Sequence, residues 1–288
     1  MSIQEENRAL LARLSAYLTA DARAITPALV AEMSASTGLT NEEAYLPLLA
    51  AFMNLEPGIA RRYLPRMVRL MSPAAVEDDP WFRALADLTV KEHDISMEQD
   101  TYAPCELFVA NDFVVDEQGR MYPQLGWFAR KVTYPALKER GRVWMSVTPN
   151  EINTIRPFAQ AVHGRVLAYG LGLGYFVCHA QLNPTVESVT VVERNPAVIQ
   201  LFRQYLASLL PRPDRLSIVQ ADAFDYARQT APQQAYDCVF TDLWHDVGDG
   251  LPLYRQMKAF ETPGPRYFYW LEKTLRCYLP DAEAASQP

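Results

Sequence analysis

The chain has 288 residues, of which 49% are hydrophobic and 21% are charged, and its formal net charge at pH 7 is −7. This length suggests two domains, or one domain with a large appendage, and this composition is typical of globular proteins rather than disordered chains or coiled-coil rods. The excess of acidic residues argues against a general nucleic-acid binder and against a protein held on a membrane surface.

The sequence contains no recognisable targeting or membrane-spanning segment. Its first residues carry charged side chains on a helical pattern, and no run of about 20 apolar residues follows. The four cysteines are far apart and form no C-x-x-C pair, so neither a disulfide framework nor a zinc site is predicted. Cys178 and Cys238 lie in apolar runs and are expected in the core. We therefore expect a cytoplasmic protein.

Residues 1–103 are predicted to form a helical region. Ile3, Leu10 and Leu14 are spaced to lie on one face of a helix. Thr40-Asn41-Glu42-Glu43 has the spacing of a capping box, and Asp79-Pro80 is predicted to start a further short helix. No residue here suggests chemistry, so a packing or oligomerisation module is expected, and a homodimer is consistent with it.

Residues 104–147 are predicted to be β-structure. Glu106–Val115 and Met121–Phe128 flank the turn signal Asp116-Glu117-Gln118-Gly119, which is typical of a β-hairpin. Arg142–Val147 is a further candidate strand. Thr148-Pro149-Asn150-Glu151 then matches a second capping box, which predicts a helix that runs to about Val162.

Residues 148–288 are predicted to form an α/β domain, because strands and helices alternate from Arg165 onwards and this order implies a parallel sheet. The predicted strands are Val166–Tyr169, Val189–Val192, Leu216–Val219 and Tyr236–Thr241. Two helices are predicted after the last of them, near Leu251–Phe260 and Pro265–Tyr278. The sheet is therefore expected to be truncated after its fourth strand.

Each of these four strands ends in a glycine loop or a carboxylate. The first leads into Gly170-Leu171-Gly172-Leu173-Gly174, and the others end at Glu193, Asp222 and Asp242. Ligands of open parallel sheets bind beyond the carboxyl ends of the strands, where these groups would meet. A dinucleotide fingerprint would place a third glycine at position 175, which is Tyr175. The pattern therefore favours an adenosyl ligand without phosphates over NAD or FAD.

These segments resemble the motifs of class I S-adenosylmethionine-dependent methyltransferases. Val166–Gly174 is similar to motif I, Glu193 to the acidic residue that holds the ribose, Gln220–Phe224 to the adenine-reading segment, and Tyr236–Asp242 to motif IV. The resemblance implies a Rossmann-like fold with S-adenosylmethionine as cofactor and S-adenosylhomocysteine as product. It assigns cofactor binding to Gly170, Gly172, Gly174, Tyr175, Glu193, Asp222, Ala223 and Asp242. For Asp222, a helix N-cap is the alternative interpretation.

Within this superfamily, the sequence is most similar to the spermidine-synthase-like branch, which has a β-hairpin region before the nucleotide domain and a Y-D-x-x-x-x-D motif. Leu173 stands where that branch carries the Asp of G-G-G-D-G, the residue that engages the aminopropyl group. We therefore predict a methyltransferase that acts on a small molecule, with an amine as one candidate acceptor. Aminopropyl transfer and a non-catalytic nucleoside-binding or assembly protein are the alternatives.

The acceptor side of the predicted site lies after the fourth strand. Asp242 is the candidate for orienting an amine or accepting its proton. His245 is a second candidate base, or a loop residue only, and Trp244 either stacks on a ligand or packs in the core. His245, Asp246 and Asp249 lack the usual spacing of metal ligands, so no metal is predicted.

Overall fold

The computed structural model describes residues 2–245 and 247–279. The helices in these residues are α1 (Ile3–Ala20), α2 (Pro27–Thr37), α3 (Asn41–Phe52), α4 (Pro57–Met67), α5 (Ala74–Glu77), α6 (Pro80–Leu85), α7 (Pro149–Ala161), α8 (Tyr175–Leu182), α9 (Pro196–Leu201), α10 (Ala223–Gln229), α11 (Val247–Lys258) and α12 (Glu272–Cys277). A short π-helical segment, Phe202–Leu206, continues α9. None of these helices is both long enough and apolar enough to cross a membrane.

The strands of the described residues belong to three sheets. They are β1 (Val68–Leu70), β2 (Val90–Glu92), β3 (Ile95–Tyr102), β4 (Phe108–Val115), β5 (Met121–Trp127), β6 (Val132–Glu139), β7 (Arg142–Ser146), β8 (Gly164–Tyr169), β9 (Val186–Glu193), β10 (Leu216–Gln220), β11 (Cys238–Thr241) and β12 (Arg266–Tyr269).

The chain divides into two compact units. The first unit comprises residues 1–78 and 100–134, and the second comprises residues 79–99 and 135–288. This division differs from the expected boundaries after residues 103 and 147. The hairpin β4–β5 belongs with the first helices because β5 also pairs with β1, whereas residues 79–99 belong with the α/β domain.

The first unit packs helices α1 to α5 with the sheet β1-β5-β4. The predicted capping box at Thr40 and Glu43 is confirmed, and the predicted hairpin is present as β4 and β5. Tyr45 lies in the core, stacked on Trp127 with ring centroids 4.5 Å apart, and its hydroxyl donates to the carbonyl oxygen of Cys105. This stacking joins the helical part of the unit to the hairpin.

The second unit contains a parallel sheet of five strands in the order β10-β9-β8-β11-β12. Every neighbouring pair in it is parallel, which confirms the predicted α/β class and the Rossmann-like sheet. The prediction that the sheet ends at its fourth strand is wrong. The segment predicted as a helix over Pro265–Tyr278 begins with the fifth strand, β12, and its helical part is only α12.

Helix α7 begins at Pro149 as predicted, but its predicted capping box is wrong. Thr148 makes no side-chain cap, and Glu151 is buried with a relative exposure of 9%. The sequence pattern of a capping box was therefore present without its hydrogen bonds, because Glu151 is enclosed by the fold instead of reaching back to the helix start.

Strand β7 pairs with β6 in an antiparallel ladder that contains a β-bulge. Met145 lies opposite Leu137, and Val143 lies opposite Lys138, so Trp144 is an extra residue on β7. A bulge changes the direction of the side chains on the strand that carries it. This irregularity bears directly on the candidate site.

Candidate functional site

A cavity of about 210 Å³ lies at the carboxyl ends of β8, β9, β10 and β11. Its lining includes seven of the sequence-predicted site residues, which are Gly170, Gly172, Glu193, Asp222, Ala223, Asp242 and His245. Trp244 and Asp249 also line it, and so do two residues that the sequence did not single out, Trp144 and Met145. Asp246 lies outside the described residues. Four consecutive strand ends thus contribute to a single cavity.

The glycine loop is shaped by close contacts with the rest of the domain. Gly170 has φ +94°, and a Cβ atom there would collide with the backbone oxygen of Asp242. Gly172 has φ +47°, and a Cβ atom there would collide with Sδ of Met145. The same sulfur accepts a hydrogen bond from the Leu173 N–H at 3.2 Å. Glycine is therefore required by the backbone conformation and by these neighbours.

Glu193 is held in place at the end of β9 by two backbone groups. Its Oε2 accepts from the Leu171 N–H at 3.1 Å, and its Oε1 accepts from the Asn195 N–H at 2.8 Å. The hydrogen bond from Leu171 connects the glycine loop to the end of β9. Each carboxylate oxygen has a second lone pair, so the side chain can still accept hydrogen bonds from a ligand.

Asp222 acts as the N-cap of α10. Its Oδ1 accepts from the N–H groups of Phe224 and Asp225. Its Oδ2 accepts no hydrogen bond among the described residues, and Asp222 also lines the cavity. The two interpretations of this residue from the sequence are therefore compatible, since one oxygen caps the helix and the other remains available.

Asp242 and Glu151 are two carboxyl groups without hydrogen-bond partners among the described residues. Burial raises the pKa of Asp242 to about 7. Burial, followed by repulsion from Asp242, raises the pKa of Glu151 well above its ordinary value. The Oε2 atom of Glu151 is buried, and none of residues 2–245 and 247–279 forms a hydrogen bond with it. Of the two, Asp242 lines the cavity and Glu151 does not, so Asp242 is the carboxyl of this pair that a ligand in the cavity would meet.

His245 lies at the mouth of the cavity between two neighbours. Its Nδ1 lies 2.9 Å from Oδ2 of Asp249, and its backbone N–H donates to Oδ1 of the same side chain. Its ring meets the indole of Trp144 edge-on, with centroids 4.2 Å apart. Asp249 therefore fixes the orientation of His245, and Trp144 completes an aromatic wall beside it.

Trp244 packs in the core, which is one of the two roles that the sequence left open, and it also borders the cavity. Its side chain is buried and meets Tyr254 edge-on, and it fills the space beside Gly250, where a Cβ atom would lie 2.9 Å from the indole. Trp244 also lines the cavity. Trp244 is therefore a core residue that packs against α11 and forms part of the cavity wall.

Gly174 and Tyr175 are not among the residues that line the cavity. Gly174 is the N-cap of α8 and packs against Phe202. The hydroxyl of Tyr175 donates to Oδ2 of Asp79 at 2.9 Å in a buried cluster. Arg156 and His179 bind the same carboxylate oxygen. Tyr175 therefore serves this internal network in the structure.

Sequence analysis did not recognise Trp144 and Met145, which line the cavity, or the buried Glu151. Glu151 was assigned to a capping box, and the alternation of a regular strand would place Trp144 and Met145 on opposite faces. The bulge at Trp144 explains why both line the cavity. No signal in the sequence marks such a bulge, although bulges often lie next to binding sites.

Comparison with known proteins finds similarity over part of this chain. Residues 156–260 match the family model described as the spermine/spermidine synthase domain. Similar solved structures include a spermidine synthase from Thermotoga maritima, at 16% identity and a TM-score of 0.36, covering 51% of this chain and 57% of that one. A probable spermidine synthase from Corynebacterium glutamicum shows 16% identity and a TM-score of 0.37, covering 63% and 62%.

A third similar structure is the S-adenosylmethionine-dependent methyltransferase SibL, at 25% identity and a TM-score of 0.29, covering 39% of this chain and 32% of that one. The chain thus spans less than two thirds of each of these structures. No curated protein matches it. The segment 156–260, which contains the glycine loop, Glu193, Asp222 and Asp242, is therefore similar to the spermine/spermidine synthase domain, and it lies within the unit that holds the parallel five-stranded sheet.

Proposed function

We propose that the chain is a transferase that uses S-adenosylmethionine to methylate an amine nitrogen of a small molecule. The observation that carries this proposal is the convergence of the glycine loop, Glu193, Asp222 and Asp242 on one cavity at the carboxyl ends of a parallel sheet. Ligands of such sheets bind at this edge.

The chemistry of the cavity suits an adenosyl group. Glu193 offers carboxylate oxygens for the two hydroxyls of a ribose, and Asp222 offers an exocyclic amine its Oδ2, which no residue in the described part of the chain binds. Val192, Phe224 and Leu243 supply apolar wall for a purine ring. Backbone at Gly170 and Gly172 has no side chain to hinder a close approach. These residues would hold the adenosyl part.

Asp242 is the proposed proton acceptor. The sulfonium supplies an alkyl group on a strong leaving group, so the protein has mainly to orient the acceptor and remove its proton. A base with a pKa of about 7 is ionised to a useful extent near neutral pH and can still take a proton. His245 lies on the same cavity wall, where Asp249 orients it.

Aminopropyl transfer is the second candidate, and the family match over residues 156–260 favours it. The acidic lining of the cavity, which includes Glu193, Asp222 and Asp242, would also suit a polyamine. Leu173 argues for methyl transfer, because this residue is fully buried and its N–H is bound by Met145. The glycine loop therefore offers no carboxylate to an aminopropyl ammonium group.

The by-product distinguishes the two reactions. The protein is incubated with S-adenosylmethionine or its decarboxylated form and a panel of primary amines, followed by mass spectrometry. Methyl transfer predicts S-adenosylhomocysteine, and aminopropyl transfer predicts methylthioadenosine. Asp242→Asn should lose the product, while Glu187→Gln, which removes an exposed carboxylate far along β9, should retain it.

Calorimetry tests the binding half of the proposal separately. Glu193→Ala should weaken S-adenosylmethionine binding by about 1.5–3 kcal/mol, the range for hydrogen bonds to a charged group, or about 10- to 150-fold in Kd. An unchanged Kd would contradict the assignment of Glu193. Tight binding without turnover across the amine panel would favour a non-catalytic binding protein.

A further inference from the structure

We propose that Trp81 and Met145 are positioning residues of the donor site. The two side chains bind the backbone C=O and N–H of Leu173 and so hold the glycine loop around Gly172, which lines the cavity. The identity of the ligand as an S-adenosyl donor rests on the proposed function, whereas the contacts that hold the loop do not depend on it.

Hydrogen bonds within the second unit occupy four of the five N–H groups of the glycine loop. The pairs are Gly170 with the Val192 carbonyl oxygen at 3.0 Å, Leu171 with Glu193 at 3.1 Å, Leu173 with Met145 at 3.2 Å and Gly174 with the Leu171 carbonyl oxygen at 2.8 Å. Only the N–H of Gly172 has no hydrogen-bond partner in the part of the chain that the structure describes. Because Gly172 lines the cavity, this N–H is available to a ligand there.

The carbonyl oxygen of Leu173 is bound by Trp81, which lies in α6, outside every motif that the sequence suggested. The indole Nε1–H of Trp81 donates to this oxygen at 2.9 Å, and both residues are buried. The indole is fixed in turn, because the backbone N–H of Trp81 donates to Oδ1 of Asp79 at the start of α6. A buried carbonyl without a donor is costly, so this bond favours one position of the Leu173 backbone.

Met145 binds the other backbone group of Leu173. Its Sδ accepts from the Leu173 N–H at 3.2 Å and lies so close to Gly172 that a Cβ atom there would collide with it. A thioether sulfur is a weak acceptor, so Met145 acts through its packing against Gly172 as well as through this bond. Two side chains from different elements, α6 and β7, thus fix the same residue of the loop.

The loop requires such contacts because its backbone is intrinsically flexible. Leu173 lies between Gly172, with φ +47°, and Gly174, with φ +77°. Glycine loses more conformational freedom on folding than any other residue. Contacts that order these residues in the free protein lower the entropy that is lost when a ligand binds, and this raises affinity. Loss of either contact should therefore weaken binding of the donor.

Amide hydrogen exchange of the ligand-free protein, measured by NMR, provides the first test. In Trp81→Phe and in Met145→Leu, the Leu173 amide should exchange about tenfold faster or more, because the loop opens more often. Trp270→Phe is the matched control, since it removes another buried indole hydrogen bond of the same unit, from Nε1 to Oγ1 of Thr154 at 2.8 Å. It should leave the Leu173 amide unchanged. An unchanged exchange rate in Trp81→Phe would overturn the proposal.

Calorimetry with S-adenosylmethionine provides the second test. Trp81→Phe and Trp270→Phe should lower Tm by similar amounts, but only Trp81→Phe should raise Kd, by about 3- to 10-fold. In the double variant Trp81→Phe/Met145→Leu, the increase in Kd should be smaller than the product of the two single increases, because both substitutions release the same residue. An unchanged Kd in Trp81→Phe would overturn the positioning role.

Steady-state kinetics separate this role from catalysis. Trp81→Phe should raise the KM for the donor and leave kcat within about threefold of the wild type, because Trp81 does not touch the cavity. A loss of kcat with an unchanged KM would contradict the proposal. If hydrogen exchange changes as expected but the wild type binds no S-adenosylmethionine, the hold on the loop stands and the proposed function fails.

Discussion

The buried carboxylate of Asp79 offers the sharpest test of how the second unit is held together. Asp79 is 2% exposed, and its Oδ1 accepts from two backbone N–H groups at the start of α6. Its Oδ2 lies 2.7 Å from Arg156, 2.9 Å from Tyr175 and 2.9 Å from His179. Asp79→Asn preserves the helix cap, because Asn is as good an N-cap. It replaces Oδ2 by an amide group that cannot accept the hydrogen bonds of Arg156 and Tyr175 and carries no charge to pair with His179.

Removal of one partner from a buried charged network costs about 3–5 kcal/mol. For a unit of this size, each 1 kcal/mol lowers Tm by roughly 2–4 °C, so Asp79→Asn should lower Tm by about 10 °C at pH 8. Burial by itself would raise the pKa of Asp79, but the hydrogen bond and charge of His179 outweigh it and hold the pKa well below its ordinary value. The stabilisation is therefore present above about pH 4 and is lost at lower pH.

Calorimetric melting at pH 8 and pH 3 measures both effects, and the gap between wild type and Asp79→Asn should narrow in acid. Tyr175→Phe is the matched control, because it removes one donor, should cost about 1 kcal/mol, and should leave S-adenosylmethionine affinity unchanged. A loss below about 1 kcal/mol in Asp79→Asn at pH 8 would refute the network argument. A large loss of ligand affinity in Tyr175→Phe would return Tyr175 to the binding site.

Three further predictions concern the cavity. The raised pKa of Asp242 means that the folded state keeps a proton which the unfolded chain releases between about pH 4 and 7, so Asp242→Asn should be inactive yet more stable at pH 8 by roughly 2–4 kcal/mol. Equal stability of the two proteins at pH 8 in urea titrations would contradict this. Gly172→Ala should lower the free energy of unfolding by about 1–3 kcal/mol, because the residue has a positive φ and a Cβ atom there would collide with Met145. Adding Met145→Ala should recover part of this loss. Strictly additive effects of the two substitutions would argue against the contact. Trp144→Ala should change the free energy of unfolding by less than about 1 kcal/mol, since Trp144 is 42% exposed. The same substitution should weaken ligand binding as measured by calorimetry. Unchanged binding would exclude Trp144 from the site.

The sheet could be predicted from the sequence because each strand is a short apolar run that ends in a glycine or a carboxylate. The fifth strand, Arg266–Tyr269, could not, since four residues are too few to show a period of two and the flanking residues fit a helix. Local sequence patterns thus identified β8 to β11, each of which is followed by a glycine loop or a carboxylate, and missed β12, which is not.

The site residues that could be predicted from the sequence are those that directly follow a strand. Glu193, Asp222 and Asp242 line one cavity because parallel strands end at the same edge. The position of Tyr175 depends on Asp79, which lies 96 residues earlier in the chain, and the burial of Glu151 depends on the packing of α7. Such long-range contacts leave no local pattern, so sequence reasoning assigned Tyr175 to the ligand and Glu151 to a helix cap.

The bulge in β7 has a consequence for how this cavity can change over evolutionary time. Trp144 and Met145 both line the cavity because one strand holds one residue more than its partner. A point substitution at either position changes one side chain, but deletion of a single codon in β7 would restore the regular alternation and turn one of the two away. A short insertion or deletion in this strand would therefore change the cavity lining, and with it the ligand preference, more than a single substitution would. Related chains that prefer other ligands are expected to show gaps at this position of the alignment.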